Sequence, residues 1–161
     1  MSRNDMIDRL RPARPEDLDA INGVIERAVM TWSLPERVKR LSLPSYRLRE
    51  DDFHYLKILV AEREGQIVGV AAMEAADPKD CPKGSHGLLL YGLYVEPRHQ
   101  GEGIGRKLLE EVARLARQQG HDGLLVKAQK DAEPFFERMG MVRLAVEDAS
   151  RDYQRRYWMA L

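Results

Sequence analysis

Apolar residues along the chain change their spacing several times, and each change marks an element. Leu18, Ile21, Ile25 and Ala28 recur at helical intervals behind Pro15, Glu16 and Asp17, which put a proline and two acids in a first turn where the dipole favours negative charge. A short strand over Asp8 to Pro12 precedes them. Ser33 and Glu36 have the spacing of a capping box, predicting a second helix that closes at Leu41. Between Ser42 and His54 the pattern breaks, because Pro44 interrupts and "RLRED" is charged without a period. That stretch is expected to be irregular or partly helical and to face the substrate.

The middle of the chain alternates strands and helices. "LKILVAEREGQIVGVAAMEA" holds two strand-like runs around Glu64-Gly65, hence a hairpin. Two prolines and two glycines make Ala76 to Gly87 a loop, and the apolar run "GLLLYGLYV", Gly87 to Val95, predicts a central strand covered on both faces. From Gly105, Leu108, Leu109, Val112, Leu115 and Ala116 share one helical face, Glu110 and Arg114 are spaced for an outward ion pair, and Gly120 ends the helix. "GLLVKA" predicts a strand, "DAEPFFERMG" a short helix capped by Asp131 and ended by Gly140, and "MVRLAV" and "YQRRYWMA" two more strands. The class is mixed α/β, with hairpins at both ends around a strand, helix, strand unit.

Composition narrows the possibilities. The 161 residues, 43% of them hydrophobic, suffice for one substantial core and predict a single domain over 1–161. Lys plus Arg and Asp plus Glu each number 26, so no global field draws nucleic acid or an anionic membrane, and neither is expected as a partner. Cys81 is the only cysteine, which excludes an internal disulfide and a multi-thiolate metal site and fits a reducing compartment. No run resembles a signal peptide or a membrane helix, so a cytoplasmic protein is expected.

The most informative stretch is "VEPRHQGEGIGRKLLEEV", Val95 to Val112, where three alternating glycines join the central strand to an amphipathic helix. The first amide hydrogens of such a helix lack partners and have the positive dipole end behind them. Gly101, Gly103 and Gly105 clear side chains from the backbone and permit positive φ, which suits a phosphate or pyrophosphate. The spacing G-x-G-x-G is not the dinucleotide fingerprint, and no P-loop run exists. Two readings stay open on the turn alone: an anion site, or a tight connection whose glycines serve packing.

The wider context resembles a known family. "LYVEPRHQGEGIGRKLL" is similar to the acyl-CoA-binding motif of the GNAT superfamily of N-acetyltransferases, Gln/Arg-x-x-Gly-x-Gly/Ala, here Gln100, Gly103 and Gly105, with Leu93, Val95 and Pro97 preceding it. "RLRPARPEDLDAI" resembles the family's opening strand and helix, and "AEPFFERMGM" its later helix. The resemblance implies a GNAT-like α/β fold: a mixed, mostly antiparallel sheet of six or seven strands, splayed centrally at Tyr91 and Val126, with about four flanking helices. It implies acetyl-CoA as co-substrate, its pantetheine arm along Leu93, Tyr94 and Val95, and its pyrophosphate on the amides of Gly101, Glu102, Gly103, Ile104, Gly105 and Arg106. Gln129 stands where the family often has an asparagine near that arm. The implied reaction is acetyl transfer to a primary amine of a small molecule or peptide, by direct attack in a ternary complex.

Such chemistry needs a neutral amine, and deprotonating a lysine-like amine at pH 7 costs roughly 4 to 5 kcal/mol, so a base or a water chain to one is useful. The amide of Leu93 is placed to stabilise charge on the thioester oxygen. The family's usual thiol acid is a tyrosine where this chain has Phe136, which cannot donate a proton and is assigned to packing along the arm. A thiol leaves tolerably as thiolate, so the enzyme reading survives this departure. Tyr91, two residues before Leu93, is the candidate polar side chain near the reacting atoms, with His86 and Glu74 candidates for a base through water. His54, His99 and His121 lack metal-ligand spacing, so no metal is expected. Met139, Met141, Met159 and Trp158 supply apolar filling near the last strands, and a homodimer contact there is one further use. Two other functions fit the same turn: a non-catalytic acyl-CoA-binding sensor or interaction module, and a nucleotide-binding domain.

Overall fold

The structure, a computed structural model, describes residues 9–161. Twelve regular elements follow in chain order: β1 (Arg9–Pro12), α1 (Leu18–Val29), α2 (Glu36–Tyr46), α3 (Asp52–Tyr55), β2 (Lys57–Arg63), β3 (Gln66–Ala75), β4 (Gly87–Val95), α4 (Ile104–Gln118), β5 (Gly123–Lys127), α5 (Glu133–Arg138), β6 (Val142–Arg143) and β7 (Arg156–Ala160). The strands form one mixed sheet in the order β1-β2-β3-β4-β5-β7-β6, with β4 and β5 the parallel pair. The chain groups into two compact units, one holding the residues up to Ala72 with Gly92–Leu109, the other Met73–Tyr91 with Glu110–Leu161.

The first unit is built on α1. Its periodic face, Ile21, Val24, Ile25, Ala28 and Val29, is buried, packing with Ile58, Val60, Val70 and Ala72 of the strands and with Leu43, Leu48 and Leu56. Each isoleucine, valine or leucine among them taken fully from water contributes about 1.5–3 kcal/mol. Arg11 on β1 ties the strand layer to the helix start, donating to Glu62 on β2 at 2.5 Å and to both oxygens of Asp17 at 2.7 and 3.0 Å. The Arg11 hydrogen bond, opposed by burial, holds the Asp17 carboxyl below the usual range. The β2–β3 hairpin closes through Glu64 and Gly65 alone, with φ of 53° and 76°, the twist-matched two-residue turn that the Glu64-Gly65 dipeptide predicts.

The second unit is organised by β5 and β7. Their antiparallel ladder runs from Gly123 with Ala160 to Lys127 with Arg156. The Trp158 ring lies on two glycines: a Cβ at Gly87 would meet it at 2.7 Å, and one at Gly123 at 2.2 Å. Tyr157 is buried, its hydroxyl 2.6 Å from Glu133 and 2.8 Å from Glu137, and hydrogen bonding to these carboxylates pushes its pKa up. Buried Arg156 donates to the carbonyls of Asp80 and Ala145 at 3.0 and 2.9 Å, and Lys127 pairs with Asp80 at 3.1 Å. Cys81 is buried beside Gly87, and desolvation raises its thiol pKa, as suits a bystander.

The strand start expected at Asp8 lies outside the described residues. Several other sequence expectations are corrected. α2 continues past Leu41 to Tyr46, and its N-cap is Pro35, two residues beyond the Ser33 expected there. Pro44 sits inside α2, where it withholds one amide from the ladder; the Ser42 hydroxyl donates to the Val38 carbonyl at 2.7 Å, and the helix closes with the Arg47 amide on the Leu43 carbonyl at 3.0 Å. Arg114 pairs with Glu111, three residues back, instead of Glu110. The turn before α5 is capped by Gln129, whose Oε1 accepts from the Asp131 amide at 2.9 Å, so Asp131 is not the cap. The expected strand "MVRLAV" is regular only at Val142–Arg143. Five α-helices, where about four were expected, occur among the described residues.

Candidate functional site

The site region is Gly92–Val95 of β4 and the turn into α4, within the first unit, with Tyr91, the preceding residue of the strand, the last of its segment in the second. Pairing of β4 with β5 runs from Gly87 with Gly123 to Leu90 with Val126, yet β4 continues to Val95. The expectation of a strand covered on both faces therefore holds only for its first half. Leu88 and Leu90 are buried, Tyr91 is 48% exposed, and Gly92 to Val95 are partly exposed. Leu93 and Val95 are thus strand residues beyond the end of the parallel ladder, where an extended ligand can add main-chain bonds. Tyr94 is different in kind. Its side chain packs against the apolar cluster of α1, and its ring lies 2.7 Å from where a Gly92 Cβ would stand.

Glu96, directly after β4, is 4% exposed and accepts from Arg27 Nε with both oxygens at 2.9 Å, while its amide donates to the Val68 carbonyl at 2.8 Å. A buried carboxylate held this way fixes where the strand stops and the turn begins. Pro97–His99 form a single tight turn, and Gln100 is exposed beyond it. Gly101 and Gly103 have φ of 81° and 86°, and a Cβ at either would have nothing within 4 Å. Gly105, expected to share that freedom, lies inside α4, which begins one residue earlier at Ile104. The amides of Ile104, Gly105 and Arg106 precede the helical bond from Lys107 to Gly103 at 3.1 Å, so they have no acceptor in the helix. Ile104 itself is buried, with its methyl and that of Leu108 2.9 Å from a Cβ built on Gly69. Only its amide is available to a ligand, whereas the Arg106 side chain is exposed.

Glu102 does not project freely from this turn. Its carboxylate lies 2.7 Å from His99 Nδ1 and 3.2 and 3.3 Å from Arg63 NH1, and His99 Nδ1 is 2.8 Å from the same guanidinium nitrogen. Burial opposes ionisation of Glu102, but the interactions with His99 and the Arg63 guanidinium hold its pKa below the usual range.

The remaining candidates lie in the second unit. Gln129 spends its amide oxygen on the cap described above. Phe136 is 4% exposed and stacks edge-on with Phe135 at 5.2 Å, in keeping with a packing role. The His86 amide donates to Asp122 at 2.7 Å, and Glu74 is partly buried. Among the described residues no three metal-ligating side chains converge, and no helix is long and apolar enough to cross a membrane. Arg27, Glu96 and Arg63 escaped the sequence reading. An acid beside Pro97 was the sole hint for Glu96, and Arg63 is 36 positions from His99 with nothing local to link them.

Known proteins resemble this chain in sequence and in fold. Rat (Rattus norvegicus) N-acetyltransferase 8 is 41% identical over 85 residues, covering 50% of this chain, and the mycothiol acetyltransferase of Streptomyces bingchenggensis (strain BCW-1) is 30% identical over 125 residues, covering 75%. The chain spans 37% of the length of each. Among solved structures, a GNAT family acetyltransferase from Brucella melitensis in complex with acetyl-CoA matches with TM-score 0.64 and 26% identity, over 94% of this chain and 86% of that one. The PaiA N-acetyltransferase of Thermoplasma acidophilum, in complex with coenzyme A, shares the fold at TM-score 0.74 and 14% identity, over 95% of this chain and 98% of that one. The pattern of the Acetyltransferase (GNAT) family matches residues 26–141, a span that includes β4, the glycine turn and α4, and the chain belongs to that family.

Proposed function

We propose that the chain transfers an acetyl group from acetyl-CoA to a primary amine of a small molecule or peptide, by direct attack while both are bound. The observation that carries this reading is the turn itself: Gly101 and Gly103 at positive φ with open space around them, followed by helical amides without acceptors. These groups suit a pyrophosphate, which takes charge-assisted bonds from amides of Gly101 to Arg106, with Gln100 at the rim. The main-chain groups of Leu93 and Val95, past the end of the parallel ladder, take the pantetheine arm as an added strand. The Leu93 amide then serves the thioester oxygen as negative charge gathers on it. Tyr91, exposed at the start of this segment, is the side chain assigned to the reacting groups. A cytoplasmic location accords with the single buried thiol.

A second reading is supported by Phe136, which is buried and has no proton to give: a module that binds acyl-CoA without turning it over. Thiol release from acetyl-CoA across a panel of amines decides between them. Amine-dependent release supports transfer, and binding of acetyl-CoA with no release from any amine supports the sensor. Tyr91→Phe should fold normally and slow release; an unchanged rate removes Tyr91 from the mechanism. Protection of the fold against heat by ATP or NAD, and not by acetyl-CoA, would overturn both readings.

A further inference from the structure

The anion turn carries its own acid. Glu102 stands between the two positive-φ glycines and directly before the helical amides that a phosphate would use. A carboxylate left there repels an anionic ligand and competes with it for the same donors. Its side chain is instead drawn onto Arg63, the last residue of β2, and onto His99, with Arg63 and His99 side chains 24% exposed and Glu102 27%. His99 Nδ1 carries one hydrogen bond at a time: as a donor it binds Glu102, and as an acceptor it receives a hydrogen bond from Arg63, which still faces Glu102. In both arrangements the carboxylate keeps a cationic partner.

We infer that Arg63 and His99 are positioning residues for the donor substrate, which capture Glu102 and cancel its charge so that the turn attracts a pyrophosphate. They act on the ligand through Glu102, not by contact with it. The inference rests on the reading of this turn as the acyl-CoA pyrophosphate site. It makes a demand that a purely mechanical clamp does not: losing Arg63 harms binding only while Glu102 is there to be unmasked.

A double-mutant cycle tests it, with coenzyme A as the probe in calorimetry and acetyl-CoA in steady-state kinetics. Arg63→Met should weaken coenzyme A binding by about fivefold or more, more strongly at low salt, raising KM for acetyl-CoA with little change in kcat. Glu102→Gln should bind coenzyme A at least as tightly as the unaltered chain, and Arg63→Met with Glu102→Gln should bind within about twofold of Glu102→Gln alone. Arg63→Lys, which keeps the charge, should recover most of the loss. Equal weakening in Arg63→Met and in the double variant would show a mechanical clamp and overturn the inference, as would weaker binding by Glu102→Gln. Glu102→Gln alone decides the matter if Arg63→Met does not fold. If the unaltered chain bound no coenzyme A, the reading of the turn would fail first, and this inference with it.

Discussion

Within the protein itself open space surrounds Gly101 and Gly103, so only φ opposes a side chain at either. Alanine at either should cost about 1–2 kcal/mol in stability, from the left-handed conformation alone, and raise KM for acetyl-CoA. Asparagine, which tolerates that conformation, should lose less; thermal melts and steady-state kinetics on both variants check this. A second residue contributes to the acid response. Asp152 is pulled down to about 2, first by the Arg151 hydrogen bond and then by the amides of Asp148 and Glu147, against burial. Because its pKa is lower folded than unfolded, its contribution is complete above pH ~4 and is lost as pH falls toward the folded value. Asp152→Asn should therefore be less stable at pH 6 and lose less further stability between pH 4 and 2, as read from urea midpoints.

At the scale of elements, the approach of α4 to β3 is set by Gly69, where a Cβ would stand 2.9 Å from both Ile104 and Leu108. Gly69→Ala should cost about 1–3 kcal/mol and weaken coenzyme A binding, because Ile104 is also the residue at which α4 begins. Normal affinity in that variant would separate packing from the site. The sequence announces α1, α4 and the β2–β3 hairpin clearly, since their periods and turn residues are local. It announces the glycine turn for the same reason. What it hides is decided at a distance or between neighbours of equal merit. Glu110 and Glu111 both lie within reach of Arg114, and Gln129 and Asp131 both flank the same turn. Pro44 looks like a stop, yet it removes only one amide from a helix that continues to Tyr46. The partners of Glu96 and Glu102, Arg27 and Arg63, come from elements far away in sequence, which no spacing rule connects.

Across the whole molecule, opposite charges balance at 26 each, so attraction to an anionic substrate is a local matter of the turn and its neighbours. The sheet likewise combines closures of very different reach. β2 and β3 meet through two residues already fixed at positive φ, whereas β4 and β5 can pair only after the turn and α4 between them have been traversed. The entropy of closing a loop grows with its length, so the hairpin can zip early and the parallel pair must wait. Gly65→Ala should thus act chiefly on the folding limb of a chevron, and Gly123→Ala, which disturbs the late pair and the Trp158 ring upon it, chiefly on the unfolding limb. The two-residue turn would then be where the search for the native state starts, and the strand that carries the donor site among the last to settle.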